Sequence, residues 1–166
     1  MPSDAAGDIA VAADAAACTG APHAPLDDTA LRHLVGYRLA RAEVAARRVF
    51  VRHVGTPLKL RPVDFSLLVL LLANGSASAT QVGRALDLPP PQVTMLVDRL
   101  VERGLMQRRR SARDARALEL TLTAAGRELA QRAHRISLTM EAPLLQTLSP
   151  AERAMLFELL AKLVPG

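Results

Sequence analysis

The residues with the most evident chemistry are arginines. Residues 108–116 read Arg108-Arg109-Arg110-Ser111-Ala112-Arg113-Asp114-Ala115-Arg116. From Asp98 to Arg116 seven arginines meet three acids, Asp98, Glu102 and Asp114, a net charge of +4. A guanidinium is a planar, permanently charged fork that pairs with phosphate oxygens and with the O6/N7 edge of guanine. A cluster of this density points to nucleic acid, against the plainer alternative of a solvated hairpin in an arginine-rich composition. Catalytic chemistry has no comparable signal. His23, His33, His53 and His134 are scattered, and no HExxH, nucleophile elbow or phosphate loop is present.

The flanking elements decide between those readings. Leu31, Leu34, Val35, Leu39, Ala42, Ala46, Val49, Phe50 and Val54 recur at steps of three and four, which predicts a long first helix with one buried stripe, ended by Gly55-Thr56-Pro57. Pro62 suits the first position of a second helix, and Asn74-Gly75-Ser76 stops it. Ser78-x-x-Gln81 has the form of a capping box opening a short third helix to about Leu88. Pro89-Pro90-Pro91 forbids its continuation but permits a fourth helix through Val93, Leu96, Val97 and Leu100 to Gly104. Alternation of Leu118, Leu120 and Leu122 with polar neighbours predicts an antiparallel hairpin, 105–110 with 116–122. Thr123 is a plausible N-cap for a fifth helix running through Leu144 with a kink at Pro143. Ser149-Pro150-Ala151-Glu152 opens a sixth, to about Val164.

Two helices joined by a tight turn and followed by a basic hairpin are in the order of a winged helix, whose second helix enters the major groove while the wing touches the flanking minor groove or backbone. The expected fold is mainly α with a small β-wing, a winged helix-turn-helix flanked by N- and C-terminal helices. On the recognition helix Gln92, Thr94 and Met95 face the groove floor and Arg99 a phosphate or base, with Pro90 in its first turn. Val93, Leu96, Val97 and Leu100 belong to the core. Ser78, Thr80 and Gln81 sit at a helix start, where exposed N–H groups favour a phosphate. Arg108, Arg110 and Arg113 are read as phosphate clamps.

The segment Asp114-x-Arg116, five residues, then Leu122-Thr123-x-x-Gly126 resembles the wing signature of MarR-type regulators, which are dimeric bacterial transcription factors. Val93-Thr94-x-Leu96-Val97-Asp98-Arg99-Leu100-x-x-Arg103-Gly104-Leu105 is similar to their recognition helix and its exit. The resemblance covers about residues 30–165, and Pro89-Pro90-Pro91 departs from the usual polar start of that helix. It implies that Arg116 probes the minor groove and that Asp114 orients the cations around it. It also implies a homodimer on a pseudo-palindromic double-stranded operator. The domain plan is then a disordered tail (1–28), a first dimerisation helix (29–60), the DNA-binding domain (61–123) and C-terminal dimerisation helices (124–166).

Family members commonly couple DNA affinity to a small ligand, and the resemblance places its candidates here at His33, Tyr37 and Arg38 on the first helix, Phe65 on the second, and His134 and Met140 on the fifth. An arginine or histidine beside apolar walls suits an aromatic carboxylate. The run His33 to Glu43 also resembles, more weakly, members that respond to nicotinate-pathway compounds. The implied function is a repressor released by a small aromatic acid. Sequence-independent DNA coating is the main alternative; redox or metal sensing on the same fold are others.

Residues 1–30 carry five aspartates and no Lys or Arg, whereas the remaining 136 carry 21 basic against 11 acidic residues, a net of +10 that suits a polyanionic partner. The single cysteine, Cys18, leaves no intramolecular disulfide and has no basic neighbour to activate it. No cofactor or metal is expected. Only four aromatic residues are present, too few for the stacking platforms of single-strand binders. No segment reaches the roughly 20 apolar residues of a membrane span, and the start lacks a signal-peptide pattern, so a cytoplasmic protein with no membrane partner is expected.

Overall fold

The computed structural model describes residues 26–110 and 118–163. A 3-10 turn, Thr29–Leu31, precedes α1 (Val35–Phe50). The helix starts later than the apolar period suggests because Leu34 is extended, with φ −83° and ψ 120°. Nor does it stop at Gly55-Thr56-Pro57. It widens into a π-helical turn, Val51–Gly55, closed by the Thr56 N–H donating to the Val51 carbonyl, then tightens into α2 (Thr56–Leu58). Pro57 falls in the first turn of α2, where a missing N–H is tolerated. The real stop is Lys59, left-handed at φ 51°.

α3 (Pro62–Asn74) begins at the proline and ends at Gly75, as its residues predict. Next come β1 (Ser76–Ala77), α4 (Ala79–Leu86) and α5 (Pro90–Glu102). The wing strands are β2 (Met106–Arg110) and β3 (Leu118–Leu122). β1 is absent from the sequence reading, since two residues carry no period. It pairs with β3 in a three-stranded antiparallel sheet of order β1-β3-β2, with Ser76 opposite Thr121 and Arg108 opposite Leu120. Leu120 and Leu122 reach the core, but Leu118 on the same face lies past its edge and is exposed.

α6 (Ala124–Met140) is opened by Thr123, whose Oγ1 accepts the Gly126 N–H at 3.0 Å. It ends at Met140, with no kinked continuation through Leu144. Pro143 has no N–H to give and would crowd the preceding turn. The chain instead makes turns in which the Ala142 and Leu144 N–H groups donate to Thr139 and Glu141. α7 (Pro150–Leu163) starts with the expected reciprocal cap between Ser149 and Glu152.

Leu67, Leu68 and Leu71 of α3 are fully buried at the centre of the core, packed with Val82 of α4, Val93, Leu96, Val97 and Leu100 of α5, Met106, Leu120 and Leu122 of the sheet, Ala130 and Ala133 of α6, and Phe50, Val54, Leu58, Leu60 and Leu105. By contrast α1 buries only Phe50 and α7 buries nothing, although Met155, Phe157, Leu159 and Leu163 lie on it. Among the described residues no helix is long and apolar enough to cross a membrane.

The exit of α5 is locked to the start of α6. Gly104, at φ 68°, lets its N–H reach the Val101 carbonyl and the Leu105 N–H reach that of Leu100, closing the helix. The Gly104 carbonyl then accepts from Thr123 Oγ1 at 2.7 Å, and the Leu105 carbonyl from the Thr123 N–H at 3.1 Å. Gly126 completes the joint, because a Cβ there would overlap the Leu105 carbonyl oxygen. Gly126→Ala should therefore lower stability by about 2 kcal/mol or more in urea denaturation. Gly36→Ala, where an added Cβ meets nothing within 4 Å, should stay within about 0.5 kcal/mol of the parent or gain slightly.

Candidate nucleic-acid interface

α4 and α5 meet at a tight turn. Asp87 closes α4 in the left-handed conformation, and the Leu88 N–H returns to the Gly83 carbonyl at 2.9 Å. A Cβ on Gly83 would stand 3.0 Å from the Leu88 carbonyl oxygen, so this close approach favours glycine. Pro89 is extended and Pro90 begins α5, whose first-turn N–H donors at Gln92 and Val93 close onto the Pro89 carbonyl. The proline run thus opens α5 without leaving a missing N–H unsatisfied.

α5 splits into two faces. Val93, Leu96, Val97 and Leu100 are buried at helical spacing, while Gln92, Thr94 and Met95 are exposed, Met95 by 69%. An isolated exposed methionine in a surface helix is unremarkable, but this one lies in the middle of the exposed face that carries Gln92 and Thr94. Thr94 Oγ1 donates to the Pro90 carbonyl at 3.1 Å, which fixes its rotamer. A cleft of about 410 Å3 between α4 and α5 brings Thr80, Pro90 and Thr94 together. Ser78 and Gln81 form the predicted cap: the Ser78 N–H donates to Gln81 Oε1 at 2.8 Å, and the Gln81 N–H to Ser78 Oγ at 3.2 Å. The Gln81 amide nitrogen takes no part in this cap and remains a donor.

Two of the expected cations have other partners. Arg99 turns inward, and its guanidinium pairs with Asp64 of α3 instead of extending from the groove face. Arg108 pairs with Asp98 of α5, which ties the wing's first strand to that helix and offsets the charge it was expected to offer a phosphate. Arg109 and Arg110 are exposed on β2, opposite Glu119 and Leu118. Arg113, Asp114 and Arg116 lie outside the described residues.

Asp64 is the residue that the sequence reading passes over. Its side chain is 2% exposed, and it accepts the Arg61 backbone N–H at 3.0 Å in the first turn of α3. Around its carboxylate stand the Arg61 side chain at 3.5 Å, Arg99, and Arg103 at 4.0 Å. One buried anion therefore faces three guanidinium groups, including Arg99 of α5 and Arg103 at its C-cap. Arg99 Nε is buried without a hydrogen-bond partner, so the pair is held chiefly through the guanidinium's outer nitrogen. The available signal was Pro62 followed two residues later by an acid, a helix-start pattern that marks Asp64 as a cap without naming its distant partners.

The ligand candidates divide. Tyr37 and Arg38 line one open hollow of about 790 Å3 with Leu26, Asp27, Asp28, Arg32 and Arg41. His33 lies in the turn before α1, not on the helix, and does not line that hollow. Phe65 packs edge-on against Phe50, with ring centroids 5.6 Å apart, and Met140 rests on the rim of the core. His134 is exposed on α6. Among the described residues no group of three or more His, Cys, Asp or Glu is placed to hold a metal.

Comparison with known proteins agrees with this geometry. A family model described as MarR family matches residues 58–117. The HTH-type transcriptional repressor Rv2887 of Mycobacterium tuberculosis is 30% identical over 129 residues, 78% of this chain and 92% of its own. The solved transcriptional repressor CouR, bound to a 23-mer DNA duplex, is 33% identical with a TM-score of 0.76, covering 84% of this chain and 99% of its own. BpsR of Bordetella bronchiseptica, whose structure concerns regulation of DNA binding by 6-hydroxynicotinic acid, is 26% identical with a TM-score of 0.71, covering 84% and 97%.

Removing one partner of a buried ion pair typically costs about 3–5 kcal/mol because the other charge is left stranded. Here Arg99 and Arg103 are about a third exposed, so solvent recovers part of that loss. Asp64→Asn should lower stability by about 2–3 kcal/mol in urea and speed amide exchange in the second half of α5. Unchanged exchange there would mean that Asp64 does not hold the helix.

Proposed function

Because this chain belongs to the MarR family, we propose that it works as a ligand-responsive, sequence-specific repressor that reads double-stranded DNA as a homodimer. A MarR-type transcriptional regulator binds DNA, so the question is which residues do so and how that binding is switched. The observation that carries the reading is the two-faced α5: a buried stripe anchors it while Gln92, Thr94 and Met95 stand outward beside an arginine wing.

In this account α5 lies in the major groove. Gln92 offers the amide that can pair with adenine, and Thr94 and Met95 offer apolar contact to thymine methyl groups. Pro90 shapes the approach of the first turn. Ser78, Thr80 and Gln81 at the start of α4 meet a phosphate. Arg109 and Arg110, with Arg113 beyond them, clamp the flanking backbone, and Arg116, oriented by Asp114, enters the minor groove. Arg99 acts from behind by fixing the helix through Asp64, and Arg108 does the same for the wing through Asp98.

The dimer would be formed by residues 29–60 and 124–166. Burying Met155, Phe157, Leu159 and Leu163 of α7 against a partner would contribute roughly 1.5–3 kcal/mol per side chain, which nothing within one described chain supplies. A two-fold dimer sets two α5 helices against half-sites about one helical turn apart. A small aromatic acid at the Tyr37 and Arg38 hollow would release DNA by favouring a half-site spacing that DNA does not match, a shift that requires tighter binding to that form. The 6-hydroxynicotinic acid named in the regulation of DNA binding by BpsR is one such acid. A protein of this kind works in the cytoplasm.

Gel shifts over a salt series separate the proposed DNA roles. Arg116→Ala should cost about 1–3 kcal/mol of operator binding, whereas Arg110→Ala should reduce the salt slope by about one unit with similar loss on every sequence. Wild-type binding by Arg116→Ala would remove the wing from the account.

A further inference from the structure

The hollow at the start of α1 already holds a carboxylate, and it is the chain's own. Asp28 precedes the 3-10 turn, and its side chain is 19% exposed. Its Oδ1 accepts from Arg32 Nε at 2.7 Å, and its Oδ2 from Tyr37 Oη at 2.8 Å and an Arg41 terminal nitrogen at 2.9 Å. The same Arg41 nitrogen reaches Tyr37 Oη at 3.2 Å, and the guanidinium lies 5.9 Å from the centre of the Tyr37 ring. Two cations and a phenol thus converge on both oxygens of one carboxylate, the donor set a free acid would need. The hydrogen bonds from Tyr37 and Arg32 hold the Asp28 carboxyl below the usual range, so it is the ionised form that is seated.

We propose that Arg32, Tyr37 and Arg41 form a carboxylate-binding site in which Asp28 is a tethered occupant, so that a free aromatic carboxylate binds by displacing it. This rests on the ligand-responsive reading above and adds to it the residues that grip the acid and the group that competes with it. Asp27 beside it makes an ordinary local cap to the Thr29 N–H and hydroxyl. Asp28 instead reaches residues nine and thirteen positions along the chain. The hollow of about 790 Å3 next to these donors has the scale of small-molecule sites. The Tyr37 ring and Leu26 supply apolar wall for the ring of an incoming acid. Because the site is competent only when Asp28 has left, the affinity for a free acid falls by the fraction of time it is vacant. The threshold concentration of the effector is thereby set by how often Asp28 vacates the site.

The test is calorimetric titration of the full chain with benzoate, using wild type, Asp28→Asn, Asp28→Ala and the double variant Asp28→Ala with Arg41→Gln. Both single variants should bind benzoate about tenfold tighter than wild type, and the double variant should lose that gain. A brace without a binding role would give variants of lower thermal midpoint and no gain in affinity. Single variants that bind no tighter, a double variant that binds as tightly as Asp28→Ala, or no benzoate binding by any of the four would each overturn the proposal. Asp28→Asn keeps the side chain's shape should Asp28→Ala fold poorly. Gel shifts with benzoate separate the two readings. Tighter benzoate binding with no effect on DNA affinity would leave the site standing and remove the effector role. Release of wild type from DNA with no change in the Asp28 variants would do the reverse.

Discussion

The orientation of the recognition helix depends on one buried carboxylate. Asp64 sits in the first turn of α3, the helix whose leucines form the centre of the core, and it faces Arg99 of α5 and Arg103 at the C-cap of that helix. Apolar packing along Val93, Leu96, Val97 and Leu100 fixes the distance between α5 and the core, but a greasy stripe tolerates sliding and rotation. A charge pair with defined geometry does not tolerate them. Arg99 therefore does its work from the protected side of the helix, and the face it leaves is occupied by Gln92, Thr94 and Met95, uncharged side chains suited to reading base edges.

A second joint transmits that orientation outward. In the turn after α5 two carbonyls, Gly104 and Leu105, accept from the hydroxyl and N–H of Thr123 at the head of α6, with Gly126 small enough to let them approach. The wing is attached in the same manner, through Arg108 and Asp98. α5, the wing and the start of α6 are thus fastened by polar contacts along the C-terminal half of α5 and at its exit. Movement of α6, one of the helices proposed to meet the partner subunit, would carry α5 with it. At the opposite end of the chain α1 passes through a π-helical turn beside Phe50 and Val54 before it reaches α3, a local widening of the kind often found at functional sites.

What could be read in the sequence follows from the range of the forces involved. Caps and stops are local: Pro62, Ser78 with Gln81, Gly104, Thr123 and Ser149 with Glu152 act within four residues, and each was legible. The order of elements, the wing and the buried stripe of α5 followed from periods of two and 3.6. β1 was missed because two residues have no period, and the π-helical turn because it exchanges one hydrogen-bond spacing for another without changing composition. A proline such as Pro143 marks a kink and a helix end alike, and here the chain turns after Met140 and ends the helix. Long-range pairing was the main loss. Arg99 carries the same charge whether it meets DNA or Asp64, 35 residues away, and nothing in its neighbours distinguishes the two. Asp28 posed the same difficulty from the other side, as one aspartate among five in an acidic segment.

The central claim is that a two-faced α5, presented twice by a symmetric pair of chains, reads base sequence. Selection of bound duplexes from a random-sequence library with the full-length protein at physiological salt tests it most directly. The account predicts enrichment of one pseudo-palindromic motif whose half-sites are centred about 10 base pairs apart, one helical turn. Enrichment of no motif, or of a single half-site without its mirror image, would contradict it.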